Sequence, residues 1–339
     1  MQEVSEGELR APPARVDSAV AVSRSPLVAS LSIVIPVFNS EQSLPVLLSR
    51  LNATMGQLAL HYEVVLVNDG SPDRSGQVLD EAVATYPWMR VIHLMRNFGQ
   101  HNALLAGIRN ARFDTIVTMD DDLQHLPEEI SLLLAKICEG FDVVYGFPKQ
   151  ESHGLWRDLA SRITKLTLQA AMGVDIASRV SSFRAFRTPV REAFAAYSGA
   201  FVSIDVLLTW GTSRFAAVPI SNPPRTLGKS NYTVPKLIVH ALNMVTGFST
   251  LPLQFASLLG FVFSLFGLLI LTFVLGRYLI QGEKVAGFPF LASILSIFSG
   301  VQLFAIGIIG EYLARMHFQV LEKPSYLIRS VSRKGRSAC

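Results

Sequence analysis

Apolar residues fall in short runs through the first half of the chain and in two long runs near its end. Leu31-Ser32-Ile33-Val34-Ile35-Pro36-Val37 is near-continuously apolar and reads as a strand buried on both faces. Glu63-Val64-Val65-Leu66-Val67, Arg90-Val91-Ile92-His93-Leu94, Thr115-Ile116-Val117-Thr118-Met119 and Asp142-Val143-Val144-Tyr145-Gly146 repeat the pattern. Residues 41–54, 76–86, 99–110 and 126–139 between them carry helical spacing. Alternating strands and helices predict an α/β fold with a mostly parallel, Rossmann-like sheet. Ligands of such sheets bind at the carboxyl ends of strands. Asn39, Asp69, Asn97 and the run Asp120-Asp121-Asp122 all fall at such ends. After residue 150 the pattern reads as helical and irregular, with a candidate amphipathic helix over 234–248.

The long runs change the picture of the C-terminal third. Residues 237–276 and 285–310 contain no Asp, Glu, Lys or Arg. A membrane helix needs about 20 apolar residues, so spans are predicted over 253–275 and 288–309. Two buried core helices are the alternative, but neither run shows a polar stripe. Half the residues are apolar and 17% are charged, unlike an ordinary soluble enzyme. Arg225, Lys229 and Lys236 precede the spans, and Arg315, Lys323, Arg329, Arg333, Lys334 and Arg336 follow them. This bias predicts both flanks on the cytoplasmic side of the cell membrane. Residues 1–30 show no signal peptide and read as a disordered lead. Next come a catalytic domain over 31–232 and a juxtamembrane amphipathic helix over 233–250. A two-helix hairpin over 251–313 and a basic cytoplasmic tail over 314–339 complete the chain. Cys138 and Cys339 make neither a disulfide framework nor a zinc spacing. The net charge of +4 is a weak pointer to anionic lipid.

Three adjacent carboxylates past a buried strand repel one another unless a cation or a turn accommodates them. Alternate strand residues share a face, so Asp120 and Asp122 start on one side and Asp121 on the other. Two same-side carboxylates suit Mg²⁺ or Mn²⁺ while leaving positions for phosphate oxygens, and Gln124 adds a candidate amide oxygen. An acidic turn capping the next helix would give the same residues. Asp69, in Asn68-Asp69-Gly70-Ser71-Pro72, can accept from a base or ribose or can simply close a turn. Asn97 and Gly99 can cap a helix or touch a donor. His101 and His125 are candidate bases, though loop histidines are commonly solvated. Arg225 and Lys229, and more weakly Arg157 and Arg162, suit a phosphate or an anionic lipid surface.

Taken together, Ser32-Ile33-Val34-Ile35-Pro36-Val37-Phe38-Asn39, Val67-Asn68-Asp69-Gly70-Ser71, Arg96-Asn97-Phe98-Gly99-Gln100 and Asp120-Asp121-Asp122-Leu123-Gln124 resemble the inverting family 2 glycosyltransferases of the GT-A fold. The resemblance is to their polyprenyl-phosphate branch and runs over residues 31–326, both predicted spans included. It implies a nucleotide-sugar donor, a divalent metal and a polyprenyl-phosphate acceptor, but no nucleic acid. It places Asp120, Asp122 and Gln124 at the metal and Pro36, Asn39 and Asp69 at the nucleotide. Glu41 stands near the family's acidic residue after the first strand. Ser182 and Arg184 match an S-x-F-R element, and Lys229 and Ser230 a basic element near the membrane. Related enzymes often form tetramers. Usual members read Asp-Ala-Asp, so Asp121 is a departure.

No general-base motif and no Q-x-x-R-W of processive synthases is visible. A phosphate acceptor is already anionic at neutral pH, with a second pKa near ~6 by analogy with phosphoserine. The expected reaction is a metal-assisted, inverting transfer to undecaprenyl or decaprenyl phosphate, probed first with UDP-sugars. In it Asp122, Arg225 and Lys229 act on the reacting phosphates. The rivals are a processive polysaccharide synthase and an inactive scaffold partnering a flippase.

Overall fold

The computed structural model describes residues 26–148, 179–199, 202–221, 251–281, 288–321, 323–334 and 336–338. Residues 1–25 of the expected lead, the expected juxtamembrane helix, and Arg157, Arg162, Arg225, Lys229 and Ser230 lie outside them; the last residues of that lead, from Val28, are not disordered but begin the first strand.

The strands are β1 (Val28–Val37), β2 (Ala59–Asn68), β3 (Met89–Leu94), β4 (Thr115–Thr118), β5 (Val143–Pro148), β6 (Arg184–Arg187), β7 (Phe215–Ile220), β8 (Ile328–Arg333) and β9 (Arg336–Ala338). Helices α1 (Leu44–Leu58), α2 (Ser75–Thr85), α3 (Gln100–Asn110) and α4 (Ile130–Cys138) alternate with the first five strands, and α5 is Ile204–Thr209. One sheet runs β7-β5-β6-β4-β1-β2-β3-β8-β9. β1 is parallel to β2 and β4, β2 to β3, and β5 to β7. β6, β8 and β9 run antiparallel to their neighbours.

β1 is buried from Ser30 to Val37, and its alternate residues feed two cores. Ile33, Ile35 and Val37 pack with Leu44, Leu47, Leu51 and Met55 of α1, whereas Val34 packs with Leu104, Leu105 and Ile108 of α3. The chain builds β1, β2 and β3 outward in one direction and then returns to lay β4 on the other side of β1. That reversal opens a crevice at the carboxyl ends of β1 and β4. Pro36 marks it. Val34 O accepts from Met119 N (3.3 Å), and the β1–β4 register ends there. Pro36, two residues on, faces the same neighbour beyond the end of β4, so its missing N–H leaves no ladder bond unmade.

At the opposite edge, Glu63 is 1% exposed between Arg90 (2.9 Å) and Arg112 (2.8 Å) and accepts from Ser32 Oγ (2.9 Å). Burial pushes its carboxyl up. Hydrogen bonds from both arginines and the charge of Arg90 outweigh that and hold it below the usual range. A depressed carboxylate stabilises the fold above its unfolded pKa of about 4.3 and loses that contribution as pH falls through the folded value. Glu63→Gln should therefore flatten the acid limb of a stability-versus-pH curve, measured by thermal melts below pH 5.

The structure revises the reading of the second half. Residues beyond 150 supply strands β6 to β9, and the expected tail returns to the sheet. β8 covers the edge of β3, Met95 N donates to Leu327 O (2.9 Å), and Ser325 Oγ donates to Gly199 O (3.1 Å). Covering an open edge removes a row of unpaired backbone groups.

Helices α6 (Leu251–Gln281) and α7 (Phe288–Val320) contain the apolar stretches Leu251–Arg277 and Ile297–His317, with mean hydropathies of 2.7 and 1.6. Neither stretch is buried within the chain, and Leu258, Phe261, Leu269 and Phe273 are exposed. The core-helix alternative therefore fails. The hydroxyls of Ser257, Ser264 and Thr272 donate to carbonyls four residues back, so they need no water. Phe263 meets Phe298 edge-on at 6.0 Å, which pairs the two helices. The expected spans lie inside α6 and α7. The second apolar stretch sits nearer the C-terminal end of α7 than the sequence placed it, and a 33-residue helix, longer than one bilayer crossing needs, contains both.

Candidate active site

The crevice between β1 and β4 collects most of the predicted site residues. β4 runs into Asp120, Asp121 and Asp122, all half-buried. Asp120 is held on both oxygens: Gln100 Nε2, in the first turn of α3, donates to Oδ1 (2.8 Å), and Ser182 Oγ donates to Oδ2 (2.6 Å). Its backbone N–H reaches His125 Nδ1 (3.4 Å). Asp122 Oδ1 accepts from the backbone N–H of Gln124 (3.1 Å), closing a turn in which Leu123 takes φ 64°. A non-glycine residue there is strained, and such strain gathers at functional sites. Asp121 points the other way, to Ser40 Oγ and Phe38 N. Burial pushes its carboxyl up to about 7, with the neighbouring Asp120 charge adding to the rise and the Ser40 hydrogen bond opposing it.

Asp69 follows β2 and is buried. Its oxygens accept from Phe98 N (2.7 Å) and Gly99 N (2.8 Å), so it fixes the loop entering α3. Burial outweighs these bonds and raises its pKa. The observed duty of Asp69 is therefore to position the loop that carries Asn97 and Gly99 beside the crevice. Gly99 takes φ 95° as the residue before α3. Gly70 takes φ 64°, and a Cβ on it would lie 2.5 Å from the Arg96 carbonyl carbon and 2.6 Å from Asn97 N. Neither backbone atom can step aside. Gly70→Ala should therefore push the 96–99 loop away and weaken nucleotide binding by about tenfold, the scale of a 1–2 kcal/mol local distortion. Calorimetric titration with UDP measures this.

Asn39, exposed and at φ 57°, holds the rim of β1, with its N–H on Ser71 Oγ (3.3 Å). Other sequence expectations are corrected. Glu41 does not turn into the crevice; its Oε2 accepts from Arg74 N (3.1 Å) at the start of α2, where a carboxylate complements the helix dipole. Arg184 is 1% exposed, with its guanidinium on Asp205 and Thr118, so it braces β6 against β4 and offers no ligand a charge. Gln124 reaches Asp122 through its backbone N–H, which donates to Oδ1 (3.1 Å). His125 is buried, not solvated, and stacks on Phe183 at 5.1 Å; burial lowers its pKa. His101 Nδ1 accepts from Ile204 N (3.4 Å). Gln100 and Ser40, which sequence reasoning did not assign, complete the site.

The donor set can be tested against a divalent ion. Asp120 and Asp122 supply hard carboxylate oxygens, and among the described residues no group of three or more His, Cys, Asp or Glu side chains forms a full cage. Two carboxylates would leave an ion such as Mg²⁺ most of its coordination for water and substrate phosphates.

Comparison with known proteins follows the same outline. The chain is 36% identical over 312 residues to the undecaprenyl-phosphate 4-deoxy-4-formamido-L-arabinose transferase of Pseudomonas aeruginosa, covering 91% of this chain and 92% of that one. Its counterpart in Yersinia enterocolitica is 34% identical over 314 residues, covering 91% and 96%. A solved glucosyl-3-phosphoglycerate synthase from Mycobacterium tuberculosis aligns with a TM-score of 0.48 at 19% identity, over 64% of this chain and 78% of that one. The pattern described as glycosyl transferase family 2 matches residues 32–194, the stretch that builds β1 to β6 and the aspartate turn. With relatives this similar along nearly its whole length, the chain belongs to glycosyl transferase family 2, and it is a glycosyltransferase.

Proposed function

We propose that this enzyme moves a sugar from a nucleotide-diphosphate donor, a UDP-sugar in the first instance, to a polyprenyl phosphate at the cytoplasmic face of the cell membrane. The observation that carries the reading is the reach of the similarity to undecaprenyl-phosphate transferases. Over 91% of the chain it must take in the apolar helices as well as the catalytic sheet.

The pairing of β8 with β3 supports the topology. The segment after α7 is part of the catalytic sheet, so both lie on one side of a bilayer. Two crossings, one each by α6 and α7, satisfy this, and the Lys and Arg flanks favour the cytoplasm as that side.

In this reading Asp120 and Asp122 hold Mg²⁺ or Mn²⁺, which when bound neutralises the departing diphosphate. Gln100 and Ser182 keep Asp120 oriented, Gln124 contributes through the turn it closes, and Asn39, Asp69, Asn97 and Gly99 line the nucleotide's place. Arg225 and Lys229 remain the proposed partners of the lipid phosphate. Neither histidine is posed as a base, since the Nδ1 atoms of His125 and His101 both face backbone N–H groups. A phosphate nucleophile needs none. Positioning and charge stabilisation carry the rate, and a single in-line displacement inverts the anomeric centre.

The test incubates membranes containing the enzyme with undecaprenyl phosphate and radiolabelled UDP- and GDP-sugars, including the formamido-arabinose donor. One donor should label a chloroform-soluble product. Label in no lipid, with every donor tried, would remove the proposal.

A further inference from the structure

Asp121 lies between two proposed metal ligands yet turns away from them. Its Oδ2 accepts from Ser40 Oγ, in a short contact, and from Phe38 N (3.4 Å). Both donors belong to the loop that leaves β1. The hydroxyl also lies 3.1 Å from Phe38 O, the longer of its two contacts.

This loop is anchored on its other flank by the first turn of α2. Ser40 N donates to Ser75 Oγ (2.8 Å), Ser75 Oγ and Glu41 N reach Asp73 Oδ2 (2.9 and 3.2 Å), and Asn39 N meets Ser71 Oγ (3.3 Å). On the β4 flank the backbone ladder has ended at Val34 and Met119. Asp121 spans the gap left there with a side chain.

We infer that Asp121 is a positioning residue, a latch that ties the end of β4 to the Phe38–Ser40 loop and so fixes Asn39 for the nucleotide. Of the three adjacent aspartates, two face the diphosphate and one holds the wall opposite. The inference rests on the donor reading above only for its consequence in binding. The latch itself is a property of the loop.

The experiment uses the full chain in nanodiscs, with Asp121→Ala, Asp121→Asn, Ser40→Ala and the double variant D121A/S40A. Hydrogen exchange of the peptide spanning residues 38–43 reads the latch directly. UDP titration and Mn²⁺ binding by electron paramagnetic resonance read its consequence. D121A and S40A should each speed exchange and weaken UDP binding about tenfold, the scale of one lost hydrogen bond to a carboxylate. The double variant should be no worse than D121A, since that variant already removes the contact S40A cuts, together with the one to Phe38 N. D121N, whose amide oxygen still accepts from Ser40, should stay within about threefold of wild type. Mn²⁺ affinity without nucleotide should not move. Unchanged exchange in D121A, additive losses in the double variant, or a loss of Mn²⁺ affinity in D121A that S40A does not share would overturn the latch. Failure of the wild-type enzyme to bind UDP would instead remove the donor reading, and the exchange data would still decide the latch.

Discussion

Asp122→Ala should cut sugar transfer by about 100-fold or more while leaving the fold intact, the cost expected when a preorganised charge at a departing phosphate is removed. The expectation follows from where the residue sits. Asp122 is half-buried, at the end of a strained turn, and among the described residues no group of three or more His, Cys, Asp or Glu side chains gathers to hold a metal. If Asp122 holds the metal as proposed, losing it would remove much of the protein's share of the coordination, and water and diphosphate would hold the ion without a fixed seat. The fold should survive, because Asp122 is half-buried and its carboxylate closes a local turn outside the strands and helices. Initial rates of lipid labelling, beside a melting temperature within about 2 °C of wild type, check both halves, since surface-turn changes of up to 0.5 kcal/mol shift a midpoint by no more. Full activity in D122A would contradict the site.

Asp205→Ala should act in the opposite way, through the fold. Arg184 is 1% exposed, and its charge is met by Asp205 on α5. Removing the carboxylate strands a buried guanidinium, which costs about 3–5 kcal/mol. For a chain of this size that is a fall in melting temperature of roughly 10 °C. The damage should spread to the site, because Arg184 Nε donates to Thr118 Oγ1 (3.0 Å), Thr118 Oγ1 to Ser182 O (2.7 Å), and Ser182 Oγ to Asp120 (2.6 Å). Replacing both partners, Arg184→Met with Asp205→Leu, should recover much of the lost stability, since a well-packed apolar pair carries no unmet charge. Thermal melts in detergent distinguish the two. An Asp205→Ala enzyme as stable as wild type would show that the pair bears no load.

The central sheet was legible because parallel strands buried on both faces must be apolar at every position. β1 to β5 therefore stand out against polar loops, and the loops carry the site. β6 was not legible. Four residues, two of them arginine, show no period, and the strand exists because Arg184 finds a buried partner twenty-one residues on. β8 was hidden for a related reason: its arginines made it look like a tail, and only the open edge of β3 explains its pairing. Within the site, Asp120, Asp122, Asn39 and Asp69 could be placed from strand ends alone. Gln100 and Ser40 could not, since their parts depend on contacts made across the crevice. Glu41 and Arg184 misled because a charge near a strand end can serve the fold as readily as a ligand. Asp121 had no evident duty until the register of β1 and β4 showed the gap it spans.

The central claim is transfer to a lipid phosphate without a general base. The purified enzyme, given the donor found in the panel, should be offered undecaprenyl phosphate and, separately, undecaprenol, which lacks the phosphate. The account predicts one sugar per lipid, formed only from the phosphate and with the anomeric configuration inverted by nuclear magnetic resonance. Labelled undecaprenol, retained configuration or a growing polymer would contradict it.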